Sequence, residues 1–361
     1  MQDRDFAARL LEWFAGVARQ MPWRGQTDPY LIWISEIMLQ QTRVEAARDY
    51  YLRFVRALPN PRALAETSEE QLFKLWEGLG YYSRARNLQR AARMIVERYD
   101  GRMPDTLEGL LSLPGVGEYT AGAVASIAYG IPAPAVDGNV LRVMTRCLAD
   151  DGDITRPDTR KRMAAEVMLR QPPDRPGDFN QALMELGALV CLPRRAKCGE
   201  CPIRDLCRAN EMGRQQDFPV KKAAAPRRVE QKTVLVIVAE GKVALRRRPP
   251  RGLLAGLWEF PTLEGHLSGA AVLRAVREWG LEPSDLAPLP ESRHIFTHRE
   301  WHMRGYAVSV YVPGSALEWA DLARLRADAA VPSVFVKYRR EAEKLLSAPP
   351  HPADKREILA E

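Results

Sequence analysis

The chain has 361 residues, 27% charged and 46% hydrophobic, and 53 Lys and Arg against 46 Asp and Glu give it a net charge of +7. It is too long for one ordinary domain, and no apolar run approaches the ~18 residues that cross a bilayer. The amphipathic start, MQDRDFAARLLEWF, lacks the cationic stretch and apolar core of a secretory signal, so a soluble cytoplasmic protein is expected. The positive charge permits a polyanionic partner without requiring one.

From residue 1 to about 210 the hydrophobic period is helical. Helices are predicted over 5–19, 30–42, 44–56, 69–77, 84–99, 107–113, 118–129, 138–147, 158–170 and 178–190, separated by Pro, Gly, Asp and Asn. In the second of these, Glu36 lies among Leu31, Ile32, Ile34, Ile37, Met38 and Leu39. Such a helix holds the carboxylate close to the core, where desolvation raises its pKa toward that of a general acid. The plainer reading is a Glu at a helix edge that points to water.

Gly78-Leu79-Gly80-Tyr81-Tyr82-Ser83 joins two helices and precedes a basic stretch with Arg84, Arg86, Arg90 and Arg93. Its apolar side chains suit either a wedge in a base stack or a plug in the core. From Leu113 to Asn139 the chain reads helix, hairpin turn, helix, then a Pro-rich loop. Gly115 and Gly117 are expected to take φ > 0 and bring N–H groups close to an anion, while Pro132 and Pro134 deliver Asp137. A dinucleotide site is excluded, because a helix and not a strand precedes the glycines and Thr120 stands in the third glycine's place.

Four of five cysteines, Cys191, Cys198, Cys201 and Cys207, are spaced C-x6-C-x2-C-x5-C. With no export signal this points to a metal site rather than to disulfides, and four thiolates accept zinc or an iron–sulfur cluster equally. Cys147 stands apart and reads as packing. Residues 211–232 lose periodicity and gain Pro, Ala and cations, as a linker does. Thr233 to Ala239 and Lys242 to Arg247 then alternate around Glu240-Gly241 as a hairpin. Leu257 to Phe260 and Met303 to Val312 also read as strands, and Ser268 to Trp279 and Val334 to Leu346 as helices.

These segments resemble the adenine DNA glycosylase (MutY) family of the helix-hairpin-helix DNA glycosylase superfamily, over essentially the whole chain. The likeness rests on PWR at 22–24, SEIMLQQTRVE at 35–45, WEGLGYYSRARNL at 76–88, LPGVGEYTAGA at 113–123, AVDGNVLR at 135–142, ELGALVC at 185–191 and the cysteine spacing. The fold it implies is multi-domain. An all-α helix-hairpin-helix glycosylase domain over 1–210, with a six-helix barrel module and an iron–sulfur loop, is followed by a linker over 211–232 and an α+β Nudix-like C-terminal domain over 233–361.

The activity it implies is removal of adenine mispaired with 8-oxoguanine or guanine in double-stranded DNA, by a monomer associated with the bacterial nucleoid through DNA. Breaking an N-glycosidic bond calls for an acid to protonate the departing base and an anion to stabilise the sugar cation. By the resemblance Glu36 is that acid, Asp137 that anion and Asn139 its orienting neighbour. The bifunctional relatives carry a Schiff-base Lys where this chain has Tyr119, which implies base removal without strand cleavage. Trp23 and Arg24 would line the base pocket, with Gln181 standing where the family usually has Glu. Gln41, Leu79 and Tyr81 would enter the stack, and Gly115, Val116 and Gly117 would grip the backbone. Cys191, Cys198, Cys201 and Cys207 would hold a [4Fe-4S] cluster.

The helix over Ala270 to Gly280 offers only Glu278 of the acids a Nudix hydrolase needs, so nucleotide hydrolysis is not expected. Phe296, Thr297 and His298 match the family's 8-oxoguanine-reading loop. His294, His298 and His302 recur every four residues as a metal site or helix face would, but 292–297 read as loop and strand.

Overall fold

A computed structural model describes residues 2–223 and 226–348; Ala224 and Ala225 of the expected linker and 349–361 of the expected second domain lie outside it. The chain forms two compact units, 1–67 with 83–224 and 68–82 with 225–361.

The first unit contains α1 (Gln2–Val17), α2 (Pro29–Leu39), α3 (Val44–Ala57) and α4 (Pro61–Glu66). After α5 (Glu69–Trp76), which groups with the second unit, come α6 (Ser83–Tyr99), α7 (Leu107–Leu111), α8 (Glu118–Tyr129), α9 (Gly138–Leu148), α10 (Pro157–Arg170), α11 (Pro176–Leu189) and α12 (Arg208–Glu211). Pro opens α2, α4, α10 and α11, where its missing N–H has no intrahelical use. The unpredicted α4 carries both start signals, Asn60 capping the Ala63 N–H at 2.9 Å and Pro61 at the first position.

Helix α2 ends at Leu39, three residues before the expected Thr42, and Gln41 turns into the left-handed region at φ 58°. The reason is Arg84, whose Nη1 donates to the carbonyls of Ile37 (2.7 Å) and Gln40 (2.6 Å) and so satisfies the helix end.

Phe6, Leu10 and Phe14 of α1 pack with Val140, Leu141, Val143 and Met144 of α9, Met163 and Val167 of α10, and Phe179, Leu183 and Leu186 of α11. Each fully buried side chain of this kind stabilises the fold by about 1.5–3 kcal/mol, which fixes where α9 begins. The loop before α9 is also pinned. Asn180, fully buried, donates to Ala133 O (2.8 Å) and accepts from Ala135 N (3.2 Å), and Gln171 donates to Ala133 O at 3.0 Å. Gly122 of α8 lies so close to this loop that a Cβ there would stand 2.1 Å from Pro134 O.

The second unit is a sheet of β1 (Arg228–Ala239), β2 (Lys242–Arg247), β3 (Trp258–Glu259), β4 (Thr262–Glu264), β5 (Pro283–Ile295), β6 (Arg299–Val310) and β7 (Glu318–Ala320), with α13 (Gly269–Glu278), α14 (Leu322–Ala327) and α15 (Val336–Ser347). Strand order is β3-β2-β1-β6-β5, β4 pairing with β1 and β7 with β2; β1 and β6 run parallel. Strand β1 starts at Arg228, inside the stretch read as linker. Val234 and Val236 join a core with Leu325, Tyr338 and Ala342, and Leu235 and Ile237 one with Val272 and Val276. Both faces are covered, so this strand reads as a continuous apolar run rather than an alternation.

Strand β5 was hidden by Pro283, Pro288 and Pro290. It is an edge strand, where a missing N–H costs little, and its register shifts after Pro283 and around Pro290 while Pro288 stays opposite Tyr306. Segment 68–82 is tied to this unit by Glu70 to Trp258 Nε1 (3.2 Å) and by Glu77, which accepts from Val331 N (3.2 Å) and Arg339 Nη1 (2.6 Å).

Candidate active site

Glu36 sits on the apolar helix α2 and is only 7% exposed. The hydroxyl of Tyr119, the second residue of α8, donates to its Oε2 and lies 3.9 Å from Met184 Sδ on α11. Burial raises the Glu36 carboxyl to about 7, and the nearby Asp137 charge adds to this; the Tyr119 bond and the Arg24 charge pull the other way. The Tyr119 hydroxyl is pushed well above its ordinary value, first by burial and then by the charges of Glu36 and Asp137. At neutral pH this corner holds a carboxyl poised between its two forms, bonded to a phenol that stays protonated.

Asp137 caps α9. Its Oδ1 accepts from Val140 N at 2.7 Å, and its Oδ2 from Asn139 Nδ2 at 2.9 Å. Burial raises its carboxyl, against the opposing bonds from Val140 and Asn139 and the charge of Arg142. Arg142, which sequence reasoning passed over, donates to Asn139 Oδ1 (2.8 Å), Gly187 O (2.8 Å) and Cys191 O (2.8 Å). One helix thus carries the carboxylate, its amide partner and the cation that holds that partner, at positions 137, 139 and 142.

Trp23 and Arg24 follow α1. Trp23 packs edge-on against Tyr51 at 5.4 Å, and Arg24 lies over the Phe14 ring at 5.0 Å. Nη2 of Arg24 is bound by Glu185 at 3.0 Å, while its Nε and Nη1 are buried with no hydrogen-bond partner. Gln181 lies half-buried on α11.

The hairpin differs from expectation at two of its three residues. Gly115 is left-handed (φ 78°), but Gly117 is extended (φ −97°) and serves as the N-cap of α8, with no side chain covering the first N–H groups. Val116 is buried and spends its own N–H on Leu113 O at 3.1 Å. An anion at this end would therefore meet the uncapped start of α8.

Cys191, Cys198, Cys201 and Cys207 line one cavity, together with Arg146, Cys147 and Ile203. Among the described residues no three His, Cys, Asp or Glu side chains are grouped for a single metal ion. Arg146 spans the loop: its Nη1 reaches Cys191 Sγ (3.3 Å) and Leu192 O (2.8 Å), and its Nε reaches Phe218 O (3.0 Å). Burial pushes the Cys201 thiol up to about 12, whereas a bond from Cys147 draws Cys207 down to about 6. Cys147 is buried in the core, as expected of a packing residue, and also borders this cavity. The donor set has the chemistry of a four-thiolate site.

In the second unit Phe296, Thr297 and His298 form the turn between β5 and β6, closed by Phe296 N to Arg299 O at 2.9 Å. Phe296 is wedged between His294 (4.6 Å) and Trp301 (5.2 Å), while Thr297 and His298 are exposed. Tyr81, 48% exposed at φ 48°, shares a hydrogen bond of 3.1 Å with Thr297 Oγ1. Leu79, expected to stand ready for the base stack, is instead buried at 8%. His302 bonds Glu300 and His294 packs on Phe296, so these histidines belong to a strand hairpin and not to a helix face.

Residues 34–168 match the family described as HhH-GPD superfamily base excision DNA repair protein, and residues 233–341 match the NUDIX domain. The chain is 36% identical to the adenine DNA glycosylase of Rattus norvegicus, across 92% of this chain and 78% of that one. It is also 36% identical to that of Homo sapiens, across 84% and 67%. The solved structure of a thermostable thymine-DNA glycosylase superposes with a TM-score of 0.54 at 30% identity, covering 58% of this chain and 98% of that one.

Proposed function

The chain belongs to the adenine DNA glycosylases, enzymes of DNA base excision repair, and from that premise we propose that it hydrolyses the N-glycosidic bond of adenine opposite 8-oxoguanine or guanine and leaves an abasic site. The observation that carries the proposal is the pairing of Glu36, held near neutrality by burial, with Asp137, whose two oxygens are tied to Val140 and Asn139.

The target adenine leaves the stack to reach this pocket. Glu36 gives its proton to adenine N7, so the base departs neutral when the glycosidic bond breaks. Asp137, whose ionised form Val140, Asn139 and Arg142 favour against burial, stabilises the sugar cation until water adds to C1′ and loses a proton to the carboxylate of Glu36. Tyr119 holds Glu36 in place and offers no amine for a Schiff base, so the reaction stops at the abasic site. The unpaired Arg24 donors and the Trp23 ring bind the base. The uncapped start of α8 holds a backbone phosphate.

Cys191, Cys198, Cys201 and Cys207 would hold a [4Fe-4S] cluster, which when bound ties the 191–207 loop together. Arg142 then carries the position of Cys191 O to Asn139 and so to Asp137. On the second unit Thr297 and His298 read 8-oxoguanine and Tyr81 enters the stack, as does Gln41 of the first unit.

The test is to incubate the protein with duplexes carrying A opposite 8-oxoguanine, G or T, and G opposite T, followed by alkaline cleavage. Adenine is expected to leave the first two alone, with no strand break before alkali and no borohydride-trapped adduct. Intact adenine in the first duplex would refute the reading.

A further inference from the structure

Glu185 is given no role by the reaction as described, yet it is among the most constrained ionised groups in the first unit. It lies on α11 at 2% exposure, and its carboxylate accepts four hydrogen bonds: from Arg19 N (3.2 Å), Arg19 Nε (2.6 Å), Arg19 Nη2 (3.2 Å) and Arg24 Nη2 (3.0 Å). Burial pushes its carboxyl up, but the bonds and charges of the two arginines outweigh this and hold it below its ordinary value. A buried carboxylate shared by two arginines leaves a net positive charge, and the Arg24 part of it acts on the general acid.

The arrangement is also incomplete. Arg24 gives one nitrogen to Glu185 and keeps Nε and Nη1 buried and unpaired, although burying a donor without a partner is costly. A ring with acceptor nitrogens, such as adenine, would satisfy them. Without an anchor a guanidinium carrying two unpaired donors would rotate toward solvent or toward the nearest carboxylate. The groups acting on Glu36 are Tyr119 from α8, Asp137 from the turn before α9, and Arg24 from the turn after α1, with Glu185 and Arg19 behind Arg24.

We propose that Glu185 is a positioning residue for the adenine pocket: it anchors Arg24 so that its free donors face the flipped base, and its charge keeps the Arg24 cation from drawing the proton off Glu36. This rests on the reading of Glu36 as the acid that protonates adenine. The carboxylate therefore has two separable jobs, one of shape and one of charge, and amide and shortened-acid variants separate them.

The test is the single-turnover rate of adenine release from the A opposite 8-oxoguanine duplex across pH 5.5–9, with far-UV circular dichroism melts to establish folding. Glu185→Gln keeps the shape and loses the charge. Its descending limb at alkaline pH is expected to move down by roughly half a pH unit. Glu185→Asp keeps the charge, so its limb should stay at the wild-type pH even where the rate falls.

Arg24→Gln removes the cation and should move the limb upward while the rate drops, and this arm decides the matter if Glu185→Gln does not fold. An unmoved limb in a folded Glu185→Gln, an equal shift in Glu185→Asp, or no upward shift in Arg24→Gln would overturn the proposal. A wild-type protein that releases no adenine would instead defeat the acid assignment on which it rests.

Discussion

Glu36 and His298 sit in opposite physical settings. Glu36 is walled in by α2 and α8, within reach of charges and a phenol that set its proton affinity. His298 stands exposed on a two-strand turn whose backbone is fixed by Phe296, packed between His294 and Trp301. Chemistry on a base needs a dry pocket, because desolvation is the largest of the effects that hold this carboxyl near neutrality. Reading a base needs a rigid tip that water and DNA can both reach. Damage to the first region should change rates and pH dependence; damage to the second should change which duplex is preferred.

The largest effect expected is that of Asp137→Asn, which removes the charge and keeps the helix cap. Turnover should fall by about 10²–10³-fold or more while duplex affinity is retained, since the charge acts on the transition state. Single-turnover kinetics beside a gel-shift titration measure both, and parallel loss of affinity would blur the contrast between the two regions.

Glu36→Gln tests burial directly. A folded-state pKa of about 7 against an ordinary 4.5 means that the folded protein binds this proton more tightly than the unfolded chain. The ionised side chain then destabilises the fold above pH 7 by at most about 3 kcal/mol, and the penalty fades as pH falls toward 4.5. The amide should therefore be the more stable protein at pH 8 and nearly equal to wild type near pH 4.5, as read from urea midpoints. An equal difference at both pH values would show that desolvation is not what shifts this group.

The smallest effect is expected at the exposed tip. His298→Ala should erode the rate preference for 8-oxoguanine over guanine by a few-fold, the worth of about one hydrogen bond, and leave the pH profile in place. An unchanged ratio would remove the reading role from this turn.

Legibility followed the same divide. The helices of the first unit lie close to their predicted spans because Pro, Gly, Asp and Asn mark their ends, and Glu36 stood out as the one acid in an apolar helix. What was missed is long-range. Asn180 and Gln171 hold the loop before Asp137, Glu185 holds Arg24, and Arg142 reaches Cys191, across 38 to 161 residues of sequence. In the second unit the prolines of β5 masked an edge strand, and segment 68–82 gave no local sign that it groups with residues 225–361.

The sequence by itself determined the two-part architecture, the hairpin, the cysteine set and the two carboxylates, because local periodicity, turn chemistry and residue type carry those features. Only the tertiary structure decided that Glu36 is desolvated and bonded by Tyr119, that Asp137 caps a helix, that Val116 and Leu79 turn inward, and that Cys147 borders the thiol cavity. Proton affinity and exposure depend on what other segments bring to within a few ångströms, and local sequence patterns do not encode that distance.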